Sequence, residues 1–257
     1  MNYSTVFLEE SLVTVSLKPP PVIKYSETLR ELARRMSRKR VDHMIVSDEK
    51  GRRVLGSINI YELMKIIVIH SAKVLSQKVL DYSKREVPCL RENSKVRDLL
   101  EYWKNQGLSE VCVLSRGEAP IASTSPLVFV QQAAKYLKRL VSSNAFKSTQ
   151  PLIAVNTTVK GVLRRAVERE LLCFLVYRKG NILGVVDCFD VLALIADGPE
   201  DILSYTCSFI YKRLEPEKLP RGLSETFSPL VLYRGEVCVI SVADMVRDLC
   251  HELLQRI

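Results

Sequence analysis

Apolar residues recur along this chain in two alternating rhythms. A helical rhythm puts Leu29, Leu32, Ala33 and Met36 on one face, and the same spacing returns at Val96, Leu99, Leu100 and Trp103 and at Val159, Val162, Leu163 and Ala166. After each amphipathic stretch comes a short unbroken apolar run: Met44-Ile45-Val46, Val111-Cys112-Val113-Leu114 and Cys173-Phe174-Leu175-Val176. Such runs predict buried strands, each closed here by a glycine-marked turn at Gly51, Gly117 or Gly180. A second apolar strand and a second helix come next. An extended lead-in precedes each first helix, with Ser26, Asn93 and Asn156 as expected N-caps. A fourth copy is legible mainly in its back half, Pro229 to Ser241. Its front half is atypical: Phe209, Ile210 and Leu214 suggest a helical face, but Pro216, Pro220 and Pro229 break the stretch beyond it.

The chain is therefore read as four β-α-β-β-α units in a mixed α/β (α+β) fold, arranged as two pseudo-twofold pairs. The expected divisions are an N-terminal extension at 1–16 and repeats at 17–79, 80–145, 146–198 and 199–257. Aligning the end of each second strand with the following helix start gives four short frames. These are Asn59-Ile60-Tyr61-Glu62, Ser123-Thr124-Ser125-Pro126, Asp187-Cys188-Phe189-Asp190 and Ser241-Val242-Ala243-Asp244. A unit of about 60 residues holds little core, so the units should pair face to face.

Composition narrows the function classes. With 47% hydrophobic and 26% charged residues the 257-residue chain is globular, and its net charge of +9 favours anionic partners. No apolar run reaches the ~18 residues of a membrane span. The N-terminus carries Glu9 and Glu10 in place of a basic leader, so the cytoplasm is the expected location. Seven dispersed cysteines without a C-x-x-C spacing read as buried, reduced thiols. The chain shows no glycine-rich phosphate loop, no H-E-x-x-H and no G-x-S-x-G, so it is read as a protein without its own catalysis. Dispersed basic residues and an aromatic content of 7% argue against nucleic acid as partner.

The fourfold recurrence resembles tandem cystathionine β-synthase (CBS) domains, over about residues 17–257. Those modules carry a G-h-h-[ST]-x-x-[DN] box opening their last helix, matched here by Gly56-Ser57-Ile58-Asn59-Ile60-Tyr61-Glu62 and Gly184-Val185-Val186-Asp187-Cys188-Phe189-Asp190, with Ser241-x-x-Asp244 intact at the end. The resemblance implies two Bateman modules whose clefts take adenosine ligands: AMP, ADP, ATP or S-adenosylmethionine. Four units in one short chain are similar to the nucleotide-sensing gamma subunits of AMP-activated protein kinases.

A carboxylate at a helix start can accept both hydroxyls of a ribose, and a hydroxyl three residues earlier can reach phosphate beside the helix N-terminus. By that chemistry Ser241 and Asp244 form the complete frame. The third keeps Asp190 but sets Asp187 where a hydroxyl is expected, the first offers Asn59 and Glu62, and the second has Ser123 with Pro126 and no acid. Two usable sites at most are expected, mainly in the second pair. His43, after the basic run Arg38-Lys39-Arg40, holds a position from which the family often sends a basic side chain toward phosphate. The same Asp, Ser and Asn residues are also what helix capping alone demands, so a ligand-free scaffold is the competing reading. Expected partners are an adenine nucleotide, with Mg only alongside ATP, a second copy in a homodimer, and a regulated protein.

Overall fold

The computed structural model describes residues 3–140, 148–149, 151–213, 231–233, 237–240 and 242–254. A short helix α1 (Tyr3–Leu8) opens the chain. The first repeat comprises β1 (Val22–Lys24), α2 (Leu29–Lys39), β2 (His43–Ser47), β3 (Val54–Asn59) and α3 (Ile60–His70). The second runs β4 (Cys89–Arg91), α4 (Val96–Gln106), β5 (Val111–Leu114), β6 (Pro120–Thr124) and α5 (Pro126–Leu140). After the two-residue β7 (Ser148–Thr149), the third comprises β8 (Leu152–Ala154), α6 (Val159–Arg169), β9 (Cys173–Arg178), β10 (Asn181–Asp187) and α7 (Cys188–Asp197). Then come β11 (Lys212–Arg213) and the back half of the fourth repeat: β12 (Val231–Tyr233), β13 (Val237–Ile240) and α8 (Val242–Leu254).

In the first three repeats the lead-in strand pairs parallel with the central strand, which pairs antiparallel with the third. Strand β2 is buried at all five positions, and Val111–Val113 and Cys173–Val176 are buried too. That is why these strands are unbroken apolar runs: both faces of each sheet are covered.

Each pair is laced by exchanged edge segments. Leu17, leading into repeat 1, bridges Ser123 of repeat 2, and Lys84, leading into repeat 2, bridges Ser57 of repeat 1. Likewise β11, on the way to repeat 4, pairs with β10 of repeat 3, while β7, ahead of repeat 3, pairs with β13 of repeat 4. Repeats 1 and 2 thus form one pair, and 3 and 4 the other. The pairs join through helices: α2 packs on α7 and α3 on α6, while α4 and α5 pack on α8. One apolar core accordingly runs through repeats 1 and 3, and a second through repeats 2 and 4. The pair-to-pair stacking is made within one chain.

Two local expectations change. The helix caps fall two residues later than Ser26, Asn93 and Asn156: Thr28 accepts from Glu31 N–H, Thr158 accepts from Gly161 N–H, and Asp98 reaches back to the Lys95 N–H at 2.8 Å. The earlier residues sit in the turn that brings the chain round. The first free N–H of each helix is then closed by a distant carbonyl, Gln77 for Leu29, Glu10 for Val96 and Tyr205 for Val159. Residues 3–16 therefore serve repeat 2 as the 72–84 segment serves repeat 1. The segment Ile202–Phe209, expected at the front of repeat 4, forms 3-10 turns that hydrogen-bond to Val155, Thr157 and Val159 of repeat 3. Residues 214–230 lie outside the described residues.

Candidate functional site

The box glycines owe their place to the exchanged segments. A Cβ on Gly56 would stand 2.5 Å from the Lys84 carbonyl oxygen, and one on Gly184 would collide with the Lys212 carbonyl. Only glycine lets the crossing backbone lie this close. The crossing delivers Lys84 and Lys212 to the helix starts of repeats 1 and 3, where they pair with Glu62 and, at 2.7 Å, with Asp190.

At the first frame the side chains close on themselves. Asn59 Oδ1 accepts from the Glu62 N–H at 3.0 Å, and Glu62 accepts from the Asn59 N–H at 2.9 Å, a complete capping box. The Asn59 amide also donates to Glu110 at 3.3 Å, and Ser57 Oγ donates to the same carboxylate at 2.6 Å. Burial works to lower the Lys84 ammonium, but the hydrogen bond and charge of Glu62, with Glu110 nearby, leave it raised above its ordinary value. Lys84 is thus a fixed cation at neutral pH.

His43 lies inside the contact between repeats 1 and 2, fully buried. Its Nδ1 is 3.1 Å from Asp42 and its Nε2 2.8 Å from Ser123, and Ser125 Oγ donates to Asp42 at 2.6 Å. His43 and Glu110 occupy matching positions in their repeats, as do Ser123 and Ser57. The pair is therefore held by two reciprocal side-chain bonds related by the pseudo-twofold, and the buried polar groups are satisfied by each other. Both His43 and Ser123 are spent on that contact.

The third frame is covered. Arg40, the C-cap of α2, forms an ion pair with Asp187, reaches Asp190 at 3.5 Å and lies 5.3 Å over the Phe189 ring. Asp187 also caps α7 through the Phe189 N–H at 2.9 Å. The matching residue of repeat 3 is Glu170, which faces the first frame: its carbonyl accepts from the Tyr61 hydroxyl at 2.9 Å, and its carboxylate meets Arg247 at 3.3 Å. Arg40 and Glu170 both hold a left-handed cap conformation at φ 51°. Glycine is the easy residue there, so each side chain holds its place against a conformational cost. Burial, with the charges of Asp42 and Glu170 among the contributors, pushes the Tyr61 phenol well above 10, which keeps it a neutral donor.

Where the four repeats meet there is a cavity of about 480 Å³, lined by Asp42, Asn59, Glu62, Lys65 and Lys84, by Glu110 and Ser125, by Glu170, and by Val242, Ala243 and Arg247 of α8. Four carboxylates (Asp42, Glu62, Glu110, Glu170) face three bases (Lys65, Lys84, Arg247). Of the sequence candidates, Asn59 and Glu62 line it. Asp244 is next to the lining residue Ala243 but not itself in the wall, half-exposed and 3.1 Å from Arg247, while Asp187, Asp190, His43 and Ser123 do not line it. Ser241 lies outside the described residues.

Residues 13–69 match the family model of the CBS domain. A protein of Methanocaldococcus jannaschii, described as a proposed archaeal homolog of γ-AMPK, superimposes with a TM-score of 0.70 at 12% identity, covering 93% of this chain and 99% of that one. The chain folds as a tandem CBS-domain protein. The CBS domain of a bacterial CNNM/CorC family Mg2+ transporter, described in complex with ATP, aligns more loosely, with a TM-score of 0.44 at 12% identity over 51% of this chain and 93% of its own. No match was found among curated proteins.

The CBS register corrects the second frame. Helix α5 starts at Pro126, and Ser125 Oγ accepts from the Val128 N–H, so Ser125 is the residue equivalent to Asn59 and Asp187. The frame reads Ser125-Pro126-Leu127-Val128, two residues later than expected, and apolar Val128 holds the acid position. The turn glycine already carried that register: Ser125 follows Gly117 by eight residues, as Asn59 follows Gly51, and both hairpins hold a bulge at the matching place, Val113/Leu114 and Val46/Ser47. The CBS units also bring in residues that motif reading passed over: Lys84, Glu110, Glu170 and Arg247. Glu110 carried one signal, a charge directly ahead of a fully apolar strand at the position of His43.

Proposed function

We propose that this protein is a non-catalytic regulatory module that takes an adenine nucleotide in the cavity where its four repeats converge. The observation that carries this reading is the cavity itself: helix starts from repeats 1, 2 and 4 and the helix end of repeat 3 open onto one space, with three basic side chains at its wall. Its size falls within the range of small-molecule sites, roughly 300–1,000 Å³. A phosphate group carries about −1.5 to −2 charges, and the wall holds one more acid than base, so a monophosphate suits it better than a triphosphate. ATP would enter as its Mg complex. The chain's +9 is spread elsewhere and is not what shapes this site.

Regulation is then a matter of linkage. The cavity is walled by both pairs, so a ligand that fits it favours one disposition of the four repeats and changes the surface offered to a regulated protein. The competing scaffold reading has its own support: Asn59 and Glu62 are engaged in their capping box, and Arg40 covers Asp187 and Asp190. Calorimetric titration with AMP, ADP, ATP and S-adenosylmethionine separates the two. The nucleotide reading expects saturable heat, strongest for AMP, weakened at least tenfold by Arg247→Ala and by Lys84→Ala. Absence of heat with all four ligands leaves the scaffold.

A further inference from the structure

Cys89 and Cys112 stand in register across the parallel ladder of β4 and β5. Partners on neighbouring strands are about 4.8 Å apart and project to the same face, which lies inside the roughly 4.4–6.8 Å Cα separation that a disulfide spans. Strand β4 is the edge of its sheet. Cys89 is exposed there, and Cys112 is buried behind it. Two residues along the same strands, Arg91 and Leu114 help wall an open cavity of about 370 Å³ that also holds Glu92, Arg116 and Glu118. Its two arginines and two glutamates suit a small zwitterionic peptide.

We propose that Cys89 and Cys112 form a dithiol redox site that exchanges with a small peptide disulfide. The Cys89 thiolate attacks one sulfur of the disulfide, whose S–S bond breaks; one thiol leaves with a proton, and Cys89 carries a mixed disulfide. Cys112 then gives up its proton to the departing second thiol as its sulfur bonds to that of Cys89. The protein dithiol loses two electrons and two protons, and the small disulfide is reduced to two thiols.

The setting supports these roles. The neighbouring Cys112, with Arg91 assisting against burial and Glu118, lowers the Cys89 thiol to about 7 even though its S–H donates to the Val87 carbonyl at 3.2 Å, while the Cys89 neighbour and burial push Cys112 far up. At pH 7 such a thiol is about 50-fold more ionised than one at 9.0; its lower intrinsic nucleophilicity takes back about 8-fold, leaving a net gain of about 6-fold. The exposed sulfur is the attacking one, and the buried sulfur resolves.

The test treats the reduced full chain with oxidised glutathione, then applies acid quench, alkylation, intact mass and peptide mapping. The expected product is a Cys89–Cys112 crosslink. Cys112→Ala should stop at a glutathione adduct on Cys89, and Cys89→Ala should give neither. Should Cys112→Ala fold poorly, Cys112→Ser is used, and the wild-type crosslink stands as its own readout. The proposal is overturned if wild type keeps both thiols free, if the first adduct forms on another cysteine, or if folded Cys112→Ala leaves Cys89 unmodified.

Discussion

Arg40 is the side chain that ties repeat 1 to the frame of repeat 3, and its removal gives the sharpest test of how the pairs are joined. Asp187 is almost fully buried, with 5% of its side chain exposed, while the Arg40 side chain is 36% exposed. Stripping the partner from a fully buried carboxylate costs about 3–5 kcal/mol. Partial exposure of Arg40 and the remaining Phe189 N–H bond reduce this to about 2–3 kcal/mol for Arg40→Ala. In a chain of this size that corresponds to a fall in melting temperature of about 4–12 °C. Alanine suits the test because it bears the left-handed cap conformation no better than arginine does. Asp187→Asn keeps the cap and removes the charge, so in the double variant the uncompensated carboxylate is gone. Equilibrium urea unfolding of wild type, both single variants and the double variant then yields the coupling. The reasoning predicts coupling above about 1 kcal/mol. A loss below about 0.5 kcal/mol for Arg40→Ala, or strictly additive changes, would refute it.

Three other outcomes are expected from the same structure. Gly56→Ala must push the Lys84 segment aside, and should cost about 1–3 kcal/mol in urea unfolding while Ala122→Gly, at the matching place in repeat 2, shows no relief. Glu110→Ala leaves the Ser57 hydroxyl and the Asn59 amide without their acceptor, an expected loss of about 2–3 kcal/mol that Glu110→Gln recovers in part; equal stability of the two variants would contradict the network. The lowered Cys89 thiol sets a pH profile: its alkylation rate should rise with pH to half its plateau near 7, whereas Cys207 and Cys250, pushed up to about 11 chiefly by burial, stay unlabelled in the folded chain at that pH. The folded thiol lies below its unfolded value, so its contribution to stability is present above the unfolded value and is lost as pH falls through about 7. A Cys89 profile centred near 9 would remove that contact.

The repeats were legible because packing repeats. Leu29 to Met36, Val96 to Trp103 and Val159 to Ala166 are buried together on their helices, and the covered sheets required apolar runs. Pairing was legible only as a need for cover. Which helices meet across the pairs depends on α2, α3 and α6 presenting similar apolar faces, and no periodicity distinguishes one such partner from another. The site was less readable still. Asp187 and Asp190 have the residue types of a ribose frame, but Arg40 lies far away in sequence and reaches them only through the contact of α2 with α7. His43 read as a basic group near phosphate, yet its ring is consumed by Asp42, the residue just before it, and by Ser123 on β6 of the next repeat. Lys84 belongs to no motif; it matters because Gly56 lets its backbone cross the sheet.

The most direct measurement is photolabelling of the intact protein with 8-azido-AMP, with and without excess AMP, coupled to peptide mapping. The account predicts saturable, AMP-protected labelling on the segments around Tyr61–Lys65, Leu108–Glu110 and Val242–Arg247, which meet at the central cavity. Labelling that AMP fails to displace, or protected labelling confined to segments remote from that cavity, would contradict it.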